Sequence, residues 1–351
     1  MTTKEEPKRR ASTAVEAALL LTVFFFGTNF TAVKIVVESV PPILFAAIRF
    51  TLAGLLLLLL IRFTDPGSRL RRGDFFPVLG LGVAGVTITQ TVFTLGVSLT
   101  TAANTALVYS TAPVWGMLLG FALGLERPRL TGILGIGLSL LGVGFIVYGG
   151  LEFAGTSLVG DALILVAAVF WGSYTVLSLS LLNRYSPIVL AAYAMTFGGL
   201  AAFPLAALDP GGFHIGSPDG LTWGAAAYSA LCSSAFGFAA WGWGVSHVGA
   251  NRVLIYQYLV TLTGVTTGIV LLGEDFGLGP HRRLRYPLRR LPGEKEIATA
   301  AHSNGASSGA GALAKGGQSE APYWGLSASS TWSLLFSPFL RTVSSTVSPG
   351  W

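Results

Sequence analysis

Two cations stand inside long apolar runs, Lys34 and Arg49, where a charge costs roughly 2.5–3.5 kcal/mol on insertion scales and so needs a partner, a wet cavity or a route to an interface. The chemistry open to them is attraction of an anionic group such as a carboxylate. Two plainer readings stay open: snorkelling of a long side chain to the headgroups, and, for Arg49, a bond to helix carbonyls. Asn29, Thr87, Gln90, Tyr109, Trp171, Tyr174, Tyr256 and Gln257 lie near the middles of similar runs. Such a polar and aromatic set can line a solute path or hydrogen-bond between helices. Glu126 and Glu274 end apolar runs, where a helix dipole disfavours an anion, so a membrane-edge anchor or loop salt bridge explains them more simply than proton coupling. The histidines at 214, 247, 281 and 302 have no metal or triad spacing, no phosphate-binding loop occurs, and Cys232 is the single cysteine. Neither an enzyme, a cofactor nor a metal site is expected.

The elements that must position these residues follow from composition. Hydrophobic residues make up 52% of the 351 positions and charged residues 11%, against roughly 25% charged in soluble domains. The apolar residues come in runs of about 20, the length that crosses a hydrocarbon core roughly 30 Å thick. The chain therefore reads as an all-α polytopic membrane protein. Spans are expected at Ala17–Val37, Pro42–Ile61, Phe76–Val97, Ala103–Gly124, Leu130–Tyr148, Leu158–Leu181, Ile188–Leu208, Leu221–Gly244 and Asn251–Gly273. The first run is too long for a signal-peptide core and is taken as a retained span. Glycine, with 45 residues, includes a Gly116, Gly120, Gly124 stripe echoed by Gly264 and Gly268. Small residues at this spacing bring helices together, within the protomer or in a homodimer.

Orientation follows from basic residues in short loops. Lys4, Lys8, Arg9 and Arg10 precede the first run, Arg62, Arg69, Arg71 and Arg72 follow the second, and Arg127 and Arg129 follow the fourth, whereas the alternate loops lack Lys and Arg. A cytoplasmic N-terminus in a plasma membrane is expected. The net charge of +6 has no aromatic-interleaved basic face, so the expected partners are the bilayer and a small solute, not nucleic acid.

The halves repeat. At an offset of 145, Gly27-Thr28 falls on Gly172-Ser173, Pro42 on Pro187 and Ala46-Ala47 on Ala191-Ala192. At 148, Gly96-Val97-Ser98 falls on Gly244-Val245-Ser246, Gly116 on Gly264, Gly120 on Gly268 and Glu126 on Glu274. Asn29 and Tyr174 are then counterparts, as are Tyr109 and Gln257, while Lys34 and Arg49 face Leu179 and Ala194. A five-span unit has an odd number of crossings, so its second copy is upside down. Inverted repeats give a route to alternating access, and a transporter is expected in preference to a non-transporting scaffold or sensor.

Phe26-Gly27-Thr28-Asn29-Phe30 with Lys34, Pro41-Pro42 leading into Ala47-Ile48-Arg49-Phe50, and the Gly-Glu type helix ends at Glu126 and Glu274 resemble the EamA-like branch of the drug/metabolite transporter superfamily. The resemblance spans about residues 15–276. It implies ten helices in two inverted five-helix repeats and export of amino acids, metabolites or drugs. The expected units are 1–149 and 150–276. Beyond them His281-Arg282-Arg283 and Arg289-Arg290 stand where a tenth span is expected, and residues 277–351 read as an aberrant basic, Gly- and Ser-rich, disordered tail. Either a frame shift has replaced the tenth helix, leaving a chain that could be inactive, or the tail is a variant that binds the membrane surface.

Overall fold

The computed structural model describes residues 5–125, 155–209 and 212–274 together with 133, 134, 137 and 141, with side chains from Thr13 in the first helix and from Leu158 in the helix after the linker. Every regular element among them is helical: α1 Glu5–Val36, α2 Pro42–Thr64, α3 Phe75–Gly82, α4 Thr89–Leu99, α5 Ala102–Tyr109, α6 Ala112–Ala122, α7 Gly155–Leu182, α8 Pro187–Ala206, α9 Gly220–Tyr228, α10 Phe238–Val248 and α11 Ala250–Leu272. A short 3₁₀ turn, Arg72–Asp74, precedes α3, and π-helical segments Val83–Ile88 and Ser229–Gly237 join α3 to α4 and α9 to α10.

Among the described residues seven helical stretches are long and apolar enough to cross a membrane. The expected span Leu221–Gly244 is helical from Gly220 to Val248 but is not among those seven. The expected span Leu130–Tyr148 falls outside the described residues apart from four helical positions, as do Glu126 and the tail. Side chains such as Leu52, Leu55, Leu59 and Leu262 are half or more exposed. A lipid surround makes that exposure favourable, where water would not.

Breaks in the helices have local causes. Pro113 offers no N–H to the carbonyl of Tyr109, and its ring crowds that carbonyl, so the fourth expected span divides into α5 and α6 at Ser110-Thr111. The two π-helical segments lie at matching places in the two halves, Val83–Ile88 and Ser229–Gly237. Wider turns of this kind leave local carbonyls and side chains displaced from the regular ladder and often mark functional positions.

Glycine sets the closest helix approaches. A β-carbon at Gly54 would stand 2.6 Å from the backbone nitrogen of Thr196, and one at Gly199 would stand 2.5 Å from that of Thr51. Gly54 and Gly199 are offset by 145, and so are Thr51 and Thr196, so the α2–α8 contact is made twice with the roles exchanged. The same exchange relates Gly96 against Ile164 to Gly244 against Leu19, and Gly116 against Leu254 to Gly264 against Ala106. Gly268 lies against the Glu274 carboxylate, and Gly120 is buried on α6. Gly124 departs from the expected packing stripe: its φ is +65° with nothing near its β position, so it turns the chain at the end of α6, a left-handed geometry that glycine adopts at no steric cost.

At Gly198 a β-carbon would meet the Gly82 carbonyl oxygen and come 2.6 Å from Val86 Cβ. Gly198→Val is therefore expected to cost about 1–3 kcal/mol as α8 is forced off α3. A thermal melt of the purified protein in detergent measures this, and an unchanged midpoint would contradict the packing described.

Candidate functional site

Arg49 lies on α2 with 2% of its surface exposed. Its Nη1 donates to Ser229 Oγ at 2.7 Å and its Nη2 to Gln90 Oε1 at 2.8 Å. Ser229 Oγ in turn donates to Asn29 Oδ1 at 2.5 Å. The π-helical segments help to place this chain of bonds: Ser229 opens the second of them, and Gln90 follows the first within α4. The guanidinium carbon lies 4.5 Å from the Phe50 ring centre and 5.1 Å from that of Phe45. A cation over ring faces gains electrostatic attraction from the π quadrupoles. Among the described residues no carboxylate pairs with Arg49 and its Nε has no hydrogen-bond partner. The bonds to neutral groups and rings thus hold a desolvated cation that lacks a counter-anion.

Arg49 lines a small cavity of about 40 Å³ with Asn29, Gln90, Tyr109, Trp171 and Gln257. Gln257 is 1% exposed, yet among the described residues neither its amide nitrogen nor its oxygen has a partner, and the Trp171 indole N–H is also unpaired. Such groups are costly to bury without hydrogen bonds. Together they offer donors and one acceptor to a polar solute. Aromatic walls complete the cavity. Phe30, Phe93 and Tyr109 pack with centroids 5.4–6.1 Å apart. Trp171 meets Phe26 at 5.7 Å and Phe238 at 5.1 Å. The volume is on the scale of a very few waters, so an amino-acid-sized solute enters only if these rings move.

Of the expected candidates, Asn29, Arg49, Gln90, Tyr109, Trp171 and Gln257 converge on the cavity. Tyr174 stands behind it, stacked on Trp171 at 5.5 Å. Thr87 donates to the Gly198 carbonyl at 2.7 Å and so joins helices. Tyr256 is half-buried and does not line the cavity. Lys34 is a correction: its Nζ donates to the carbonyls of Val97 at 2.9 Å and Thr100 at 2.5 Å, at the end of α4. A helix C-terminus presents unsatisfied carbonyls and a partial negative charge, which is where an ammonium belongs. Lys34→Met is expected to lower stability by about 2 kcal/mol while leaving solute affinity unchanged; a loss of affinity at unchanged stability would return Lys34 to the path. Sequence reasoning passed over Phe26, Phe30, Phe50, Phe93, Ser229, Ser233, Phe238 and Val260. Helical spacing was the available signal, since Asn29 and Phe30 lie three and four residues after Phe26 and Phe93 lies one turn beyond Gln90.

Polar clasps close the bundle at both ends. At the Lys34 end, Asp161 Oδ1 accepts from Thr100 Oγ1 at 3.0 Å and Asn104 Nδ2 at 2.5 Å. Glu274 accepts from the backbone N–H groups of Ala102 at 2.7 Å and Ala103 at 2.8 Å. The anchor or loop salt bridge expected for Glu274 is thus a cap: it follows the end of α11 but covers the start of α5, whose first amides lack helical partners. At the other end, Asp74 accepts from Arg184 Nη1 at 2.8 Å and Tyr185 Oη at 2.6 Å. Burial and the Asp74 carboxylate push the Tyr185 phenol up.

The EamA-like transporter family model matches residues 14–148 and again 158–279. Two uncharacterized transporters of Archaeoglobus fulgidus are similar. One is 29% identical over 74% of this chain and 91% of its own length, the other 30% identical over 73% and 88%. A probable terminal-alkyne amino-acid exporter of Streptantibioticus cattleyicolor is 28% identical over 73% of this chain and 85% of its own length. A solved crystal structure of another protein, 20% identical, superposes with a TM-score of 0.58 over 84% of this chain and 96% of that one, a likeness of fold. With most of its length covered by two matches to one family and with transporters as its relatives, the chain belongs to the EamA-like transporter family.

Proposed function

We propose that this chain is a secondary exporter of a small amphipathic solute bearing a carboxylate, working by alternating access between two inverted repeats. The observation that carries the carboxylate is Arg49, a buried cation in the central cavity without an anionic partner among the described residues. Arginine's planar fork suits a carboxylate, and the charge-assisted bonds formed there are strong because the site excludes water. Aromatic walls suit an apolar side chain on the solute, in keeping with the amino acid named for one relative.

The inverted repeat is supported by glycine contacts that recur with exchanged roles, by π-helical segments at matching positions, and by cavity residues that are counterparts: Phe26 with Trp171, Gln90 with Phe238, and Tyr109 with Gln257. On this reading the Gly220–Val248 helix and the Leu130–Tyr148 run complete nine spans. The N-terminus is cytoplasmic in a plasma membrane, and opening one clasp while the other holds exposes the cavity to one side at a time. A solute gradient supplies the energy.

Counterflow in proteoliposomes tests this directly. Liposomes preloaded with an unlabelled amino-acid mixture are expected to accumulate labelled amino acids, and not the corresponding decarboxylated amines. Equal uptake of the amines would sink the carboxylate reading. Absence of counterflow for every solute would favour a scaffold or sensor.

A further inference from the structure

A second, larger cavity lies away from Arg49, where the link between α2 and α3 meets α8. Its volume is about 540 Å³, and Arg69, Arg71, Arg72, Phe75, Phe76 and Phe197 line it. That size falls within the range of small-molecule sites. The three arginines are exposed, and no carboxylate pairs with them among the described residues. The acids on the same link are engaged elsewhere: Asp65 accepts from Ser68, and Asp74 is held by Arg184 and Tyr185. Beside this positive rim the surface is apolar. Phe76 is 70% exposed, Phe75 packs against Phe197 at 5.3 Å, and Leu200, one turn along α8, is half exposed.

Charge and apolar surface are arranged in a particular order here. Arg69 and Arg71 sit on the link between spans and Arg72 at the first residue of the next one, where headgroups lie, and the phenylalanines and Leu200 run from there along the helices, where acyl chains lie. A soluble anion would use the first part alone. We infer that this groove is a binding site for an anionic phospholipid, its phosphate among Arg69, Arg71 and Arg72 and an acyl chain over Phe75, Phe76 and Leu200. Basic residues at the membrane surface contribute enough that each arginine accounts for about fivefold in affinity for an anionic lipid. The inference does not depend on what the central cavity carries.

Native mass spectrometry of the full chain in mild detergent tests it. With phosphatidylglycerol and phosphatidylcholine of identical acyl chains at equal concentration, retention of phosphatidylglycerol at least tenfold above phosphatidylcholine is expected. The triple variant Arg69→Gln, Arg71→Gln, Arg72→Gln is expected to lose phosphatidylglycerol by about 100-fold. Inorganic phosphate at the lipid's concentration is expected to leave the lipid in place. Equal retention of the two lipids by the unaltered protein overturns the inference without reference to any variant. Full retention by the triple variant also overturns it, and so does displacement by phosphate, which would mark a site for soluble anions.

Discussion

Arg49→Gln is expected to lower affinity for the proposed carboxylate solute by about 2–5 kcal/mol, from roughly thirtyfold to several thousandfold, the cost of truncating one member of a buried charged pair. Arg49→Lys should recover part of this, because an ammonium supplies the charge but not the two-pronged geometry. Some stability is lost in both, since Ser229 and Gln90 each give up the donor they accept from. Affinity and stability must therefore be read separately. Trp171 borders the cavity, so quenching of its fluorescence by solute reports binding, and the melting midpoint reports folding. Unaltered affinity in a folded Arg49→Gln protein would remove Arg49 from the site and leave the aromatic walls to account for recognition.

The second large effect is at Glu274, which is 5% exposed and caps two amides at the start of α5. Glu274→Ala leaves both N–H groups buried without a partner and is expected to cost about 3 kcal/mol, two charge-assisted bonds at the lower end of their usual range. Glu274→Gln keeps one accepting oxygen and should lose about half as much. The α5 helix carries Tyr109 into the cavity, so fraying of its first turn should also slow counterflow. A melting midpoint unchanged by Glu274→Ala would show that water or another group caps α5 equally well.

Much of this architecture was legible in the residues because the governing signals are local or periodic. Span lengths follow from hydrocarbon thickness, and Gly, Pro and Ala at constant offsets pointed to the places where glycine contacts recur with exchanged roles. Arg49 stood out because a cation in an apolar run needs a reason. Lys34 satisfied the same rule but has a different explanation, since its partners are carbonyls more than 60 residues away. Glu274 was misread for a similar reason: its own helix gives it no role, and the amides it serves lie at Ala102 and Ala103, in the other half of the chain. The aromatic walls were hidden by abundance. With 22 phenylalanines in the chain, composition cannot separate a ring that faces a cavity from one that faces lipid. The π-helical segments have no clear signature in residue type, and only helix packing reveals them.

The exchanged glycine contacts also have a consequence in time. They join α2 to α8, α4 to α7 and α6 to α11, so grooves made early in synthesis wait for helices made late. Between the end of α6 at residue 122 and the end of α11 at residue 272 a ribosome working at about 5–20 residues per second takes roughly 8–30 s. Over that interval the glycine-lined backbones of α4, α2 and α6 gain their mates only in turn, as α7, α8 and α11 are completed, and until then they stand open to lipid or to other nascent chains. A slower ribosome would lengthen their exposure to wrong partners without any change in the finished protein.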